Sequence, residues 1–105
     1  MELSELKKYS DLSFDHTIAK KNALERARSR QIMAYHGHLF RADTDTINLI
    51  HTLKIHHKEF FVLDSNDNPC FIKQPEEFLD LLIQRNQESL NDYHRLYQDI
   101  KSRKI

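Results

Sequence analysis

Two histidines, His36 and His38, flank the chain's single glycine, Gly37. At strand spacing, residues two apart place their side chains on one side of a ribbon, and paired imidazoles begin a zinc site. A zinc site needs three or four convergent ligands, and only Asp43, Asp45 and His57 are nearby donors. Gly37 at a turn spoils the alternation, so His36 and His38 read as solvent-facing turn residues. His56 and His57 close a helix, where a cationic side chain complements the negative end of the dipole. Asp64, Asn66 and Asp67 resemble part of a calcium loop. No acidic residue closes its far end, however, and the mid-loop glycine of an EF-hand is missing. That segment reads as a hairpin turn, because Asn and Asp bond their own main chain and tolerate left-handed backbone.

Nucleophilic chemistry offers little more. Cys70 lies between Pro69 and Phe71 on an apolar strand, where a free thiol behaves as a small hydrophobe. A single glycine rules out a glycine-rich phosphate loop or a nucleophile elbow. No acid, base and nucleophile set assembles, so the chain is expected to be no enzyme, with no metal and no cofactor. One cysteine also excludes an intramolecular disulfide and a cysteine-based zinc site, which fits a reducing compartment. Lys20, Lys21, Arg26, Arg28 and Arg30, against Glu25 alone, give residues 20–30 a charge of +5 − 1 = +4. This is a possible basic contact face for phosphates or an acidic protein. A solvated helix face is the ordinary use of such a run. Over the whole chain sixteen basic residues balance sixteen acidic ones, which removes the positive field of a dedicated nucleic-acid binder.

These residues need a scaffold, and 105 residues suffice for one domain with one core. With 39 % hydrophobic and 30 % charged residues the composition is polar but not of the disordered type. Residues 1–13 read as a flexible segment, broken by Ser10, Asp11 and Ser13, ahead of a single α+β domain over 14–105. Ser13 or Asp15 caps a first helix to about Gln31, with Phe14, Ile18, Leu24 and Ala27 inward. Ile32–Tyr35 and His38–Arg41 form a tight hairpin around Gly37. Asp43 or Asp45 caps a second helix to about His57, burying Ile47, Ile50 and Leu53 with Leu49 beside them. Glu59 to Asp64 and Cys70 to Lys73 form a second hairpin, with Pro69 at a strand start or edge. Tyr35, Phe40, Phe60, Phe61 and Phe71 are expected to fill the layer between sheet and helices. Pro75 opens a last helix to about Ser102, with Leu79, Leu82, Ile83, Leu90, Tyr93, Tyr97 and Ile100 at helical spacing. The fold expected is α+β in the order α–ββ–α–ββ–α, the hairpins joining in one small antiparallel sheet packed against helices.

The stretch Tyr35-His36-Gly37-His38-Leu39-Phe40-Arg41-Ala42-Asp43 resembles the aromatic-x-Gly-x-x-Phe-x-Ala-Asp signature of an uncharacterised domain family. The family occurs in phage and prophage tail-fibre and tail-fibre-assembly proteins. The similarity continues through a helix at Thr46 to His57, a hairpin with an Asp/Asn-rich turn, and a long helix carrying His94 and Lys101. Where that family often has Trp before the turn, this chain has Phe60-Phe61. The resemblance implies phage origin and a structural or assembly role through protein–protein association, and it carries no catalytic residues to transfer. The alternative is a small host-interaction protein, an inhibitor or adaptor such as an anti-CRISPR factor.

The last helix would span roughly 40 Å, against a radius of gyration near 13 Å for a compact domain of this length. Its far stripe, Leu90, Tyr93, Leu96, Tyr97 and Ile100, therefore reads as an interaction surface, and symmetric pairing makes a homodimer the expected state. The competing arrangement folds the first helix onto that stripe. Partners expected are a phage structural protein or a host protein, with no nucleic acid and no membrane. The expected location is the bacterial host cytoplasm or the virion, since Met1 to Glu5 lacks the start of a secretion signal.

Overall fold

The structure is a computed structural model that describes the backbone of residues 3–102 and the side chains of residues 15–102. Its elements are α1 (Leu3–Ser29), β1 (Ile32–Tyr35), β2 (His38–Arg41), α2 (Thr44–His56), β3 (Phe60–Leu63), β4 (Pro69–Ile72) and α3 (Pro75–Ser102). This is the α–ββ–α–ββ–α order, with a long C-terminal helix and small antiparallel hairpins packed against helices.

Each boundary has a local cause. His36 and Gly37 turn the first hairpin with φ of 48° and 80°, the paired positive values of a type I′ connection. The ladder then runs from Tyr35↔His38 to Ile32↔Arg41. Asp43, in extended backbone, caps α2 by accepting the Thr46 N–H at 2.9 Å. The β3–β4 connection holds Asp67 at φ 61°, and Pro69 opens β4 where no ladder N–H is lost. Pro75 begins α3, followed by Glu76 and Glu77 at the positive helix end.

The single sheet expected from the sequence is resolved into two separate two-stranded ribbons. They meet at one main-chain hydrogen bond between them, the Ser65 N–H donating to the Leu39 carbonyl at 2.8 Å. Their inner faces, with Met33, Tyr35 and Phe40 on one and Phe60, Val62, Cys70 and Ile72 on the other, close a core with Ile50, Phe78, Leu79 and Leu82. Phe78 sits at its centre, its ring 4.5 Å from Tyr35 and 4.8 Å from Phe40. Burying a side chain of this size contributes about 1.5–3 kcal/mol.

The first helix departs from expectation. It is continuous from Leu3, with no break at Ser10, Asp11 or Ser13 and no new start at Ser13 or Asp15. Ala23 and Ala27 form its buried seam; Leu24 is half-buried, Ile18 is exposed, and Phe14 lies outside the described side chains. α1 packs along α3 with these small residues at its buried seam. On α3 the buried face runs Phe78, Leu82, Asn86, Ser89 and Ile100, whereas Ile83 and Leu90 are exposed. On α2 Leu49 is likewise exposed, leaving Ile50 as the fully buried residue. With hairpins and α2 at one end, and α1 paired along α3, the molecule measures 66 × 23 × 22 Å. Its radius of gyration of 19.5 Å exceeds the compact-domain figure because the helix pair projects as a stalk.

Candidate interaction surface

The polar clusters singled out by residue type are spent on the fold. Asp64, the residue after β3, is almost wholly buried, its Oδ1 accepting the N–H groups of Asn66 and Asn68 at 2.8 and 2.9 Å. Its Oδ2 lies 2.7 Å from His38 Nδ1 on β2, beside the bond that joins the hairpins. The His38 contact and then the main-chain bond from Asn68 hold the Asp64 carboxyl below its ordinary range. His38 is thus a cross-hairpin partner and not the solvent-facing turn residue its neighbourhood suggests. His36 is exposed, with its ring against the Tyr35 ring at 4.1 Å. Among the described residues no three His, Cys, Asp or Glu side chains are grouped to hold a metal ion. Cys70 is buried; burial, then the negative charge of Asp64, pushes its thiol up. Burial chiefly, then Glu77, raises the Tyr35 phenol.

A second polar set seats the stalk on the head. Gln31 Nε2 donates to Ser89 Oγ at 3.0 Å, and Ser89 Oγ to the Asn86 carbonyl at 2.7 Å. Asn86 Nδ2 donates to the Ala42 carbonyl at 2.9 Å, and the Ala42 N–H to the Gln31 carbonyl at 2.7 Å. Such a closed network fixes register, because each member left unpaired would cost its desolvation. The Tyr35–Asp43 segment is equally structural. Tyr35, Phe40 and Ala42 are buried, Gly37 makes the turn and Asp43 caps α2.

The stripe expected to pair with a second molecule is partly covered within the chain. Ile100 is only 8 % exposed, and Tyr93, Leu96 and Tyr97 are half-buried. Lys20 on α1 holds its ammonium 5.8 Å from the Tyr97 ring centre. Leu90, 41 % exposed, borders a cleft of about 310 Å³ shared with Leu24, Ala27 and Asn86. α1 lies along this stripe, as in the competing arrangement, and leaves Leu90 exposed. The basic residues Lys20, Lys21, Arg26, Arg28 and Arg30 are all exposed. Arg30 and Arg95 both pair with Asp92, which offsets part of that charge.

Among the described residues, another exposed apolar cluster lies elsewhere. Phe61 is 67 % exposed, Leu63 62 % and Phe71 38 %, all on the outer face of β3–β4. Phe61 and Phe71 are direct cross-strand partners with ring centres 4.9 Å apart. Leu63 leads on to exposed Leu49 across a cleft also lined by Ser65. On the other side Phe71 and Lys73 border a cleft of about 410 Å³ with Tyr35 and His36. The sequence reading placed Phe61 and Phe71 in the core; the pleat turns both outward, because Phe60, Val62, Cys70 and Ile72 already fill the inner face. A continuous run such as Phe60-Phe61-Val62-Leu63 has no polar alternation to mark its outer side. The Phe71 neighbours, Cys70 and Ile72, gave the same ambiguity. No family model, curated protein or solved structure matches the chain.

Proposed function

We propose that this chain is a non-enzymatic, phage-encoded assembly module of the tail-fibre-associated type, acting by protein–protein association. The observation that carries the association is the outer face of β3–β4. Two large aromatics and a leucine stand exposed on one face of a ribbon whose other face is core. Clustered exposed aromatics mark contact surfaces, since each buries a large area with few rotamers to fix. The phage setting is supported by the resemblance of the Tyr35–Asp43 segment. On this reading the module works in the bacterial host cytoplasm or on the virion, and its partner is a phage structural protein.

The test is recovery of the chain from phage-infected cells, with partners identified by mass spectrometry. The expected result is association with the fibre polypeptide or its assembly intermediates, lost in a Phe61→Glu/Phe71→Glu variant that keeps its native circular dichroism. Recovery with a host enzyme and no phage structural protein would replace this role by the inhibitor or adaptor reading.

A further inference from the structure

We infer that the outer face of β3–β4 is covered by the same face of a second copy of this chain, so that the module acts as a two-fold homodimer. The inference rests on the association reading above: self-association through this face builds the dimer that the fibre polypeptide meets, so the Phe61→Glu/Phe71→Glu variant loses that polypeptide by losing the dimer.

The argument is one of charge and symmetry. The aromatic pair Phe61/Phe71 sits mid-ribbon, with Leu63 opposite Pro69 at the turn end. At the open end stand Glu59, one residue before β3, and Lys73, one residue after β4, both exposed. Glu59 and Lys73 flank the cross-strand pair Phe60↔Ile72, so the two strands end in an acid and a base, and the whole chain has a formal net charge of zero. A partner with a strongly charged surface of one sign would meet as much repulsion as attraction there. A two-fold axis running along the ribbon instead lays β3 of one copy over β4 of the other. Phe61 then meets the second copy's Phe71, and Glu59 meets its Lys73, twice over. The alternative axis, across the strands, would put both charged residues against Leu63 and Pro69, desolvating them without a partner. The apolar centre supplies the free energy, and the rim selects the orientation. Near-zero net charge also leaves no long-range repulsion to keep two copies apart.

Sedimentation equilibrium of the purified full chain tests this directly, up to high micromolar concentration. A reversible dimer is expected. The Phe61→Glu/Phe71→Glu variant should be monomeric, with melting showing that it is folded. Either single reversal, Glu59→Lys or Lys73→Glu, should weaken dimerisation by roughly tenfold, the scale of two rim ion pairs turned repulsive. The double reversal should restore it, because it re-forms both pairs in the opposite sense. These rim positions are exposed, so they keep the test open should the Phe variant fail to fold. A chain that stays monomeric throughout overturns the inference. So does a dimer indifferent to these four positions, for instance one lost only on changing Leu90. Single reversals without rescue in the double variant overturn the proposed orientation. A monomer that still captures the fibre polypeptide would sink the homodimer and leave the proposed function standing.

Discussion

The two hairpins are matched in size and opposite in use. Each has four-residue antiparallel strands and an inner face that enters the same core. In β1–β2 the outward positions are Ile32, Ala34, Leu39 and Arg41, a mixed face with a small residue and a charge. In β3–β4 they are Phe61, Leu63, Pro69 and Phe71, with no polar residue among them. Their turns differ likewise: two residues with positive φ in one, a carboxylate-anchored loop from Asp64 to Asn68 in the other. The first hairpin exposes two aliphatic side chains, Ile32 and Leu39, interrupted by Ala34 and Arg41 and with no aromatic ring. The second carries an apolar surplus the fold does not use, and that surplus is where association is to be sought.

The sharpest way to break the comparison is to truncate the two sides separately. Phe40→Ala empties a buried site against the Phe78 ring and should cost about 3–5 kcal/mol in urea unfolding. Phe61→Ala, outward on β3, should cost under about 1 kcal/mol measured on the monomer at low concentration. Equal losses at both would mean that the outer aromatics are structural after all.

A smaller effect should follow the carboxylate that ties the hairpins together. Asp64 has its folded pKa lowered, so its contribution is fully present above the unfolded carboxylate value and is lost as pH falls through the lower folded one. Acid titration of stability should therefore show a falling limb below the ordinary Asp range. That limb should shrink in Asp64→Asn, which keeps the shape and removes the charge. An unchanged acid limb in the variant would show that other carboxylates govern it.

A purely local effect should follow Gly37→Ala. No atom lies within 4 Å of where the new Cβ would stand, so the cost is only that of holding φ near +80°. About 1 kcal/mol is expected by thermal melting, set against several for Phe40→Ala. A loss as large as that of Phe40→Ala would mean that the turn controls more than its own conformation.

What the sequence disclosed, and what it withheld, follows the same division. Turns and caps were legible because Gly37, Asp43, Pro69 and Pro75 each act through local backbone chemistry. The strands were legible from their apolar runs, yet the runs did not say which side faced out. The buried face of α3 was hidden because Asn86 and Ser89 continue it with polar side chains, satisfied by Ala42 and Gln31 from distant segments. The pairing of α1 with α3 was legible only as the competing arrangement, since Ala23 and Ala27 present little apolar area to a reader of periodicity. His38 and Asp64 stand 26 positions apart, and only the folded chain makes them neighbours. The outward aromatics were readable as residues and not as a surface.

Cys70 has a use of its own. It is the chain's one thiol, 3 % exposed on the inner face of the second hairpin, and burial weakens its tendency to ionise. The thiolate is the reactive form, so in the closed molecule alkylation is slow on two counts, access and charge. The rate at which a disulfide or maleimide reagent captures this sulfur is then a clock for the opening of the ribbon. It needs no engineered label, and it reads the head of the molecule while being silent about the stalk.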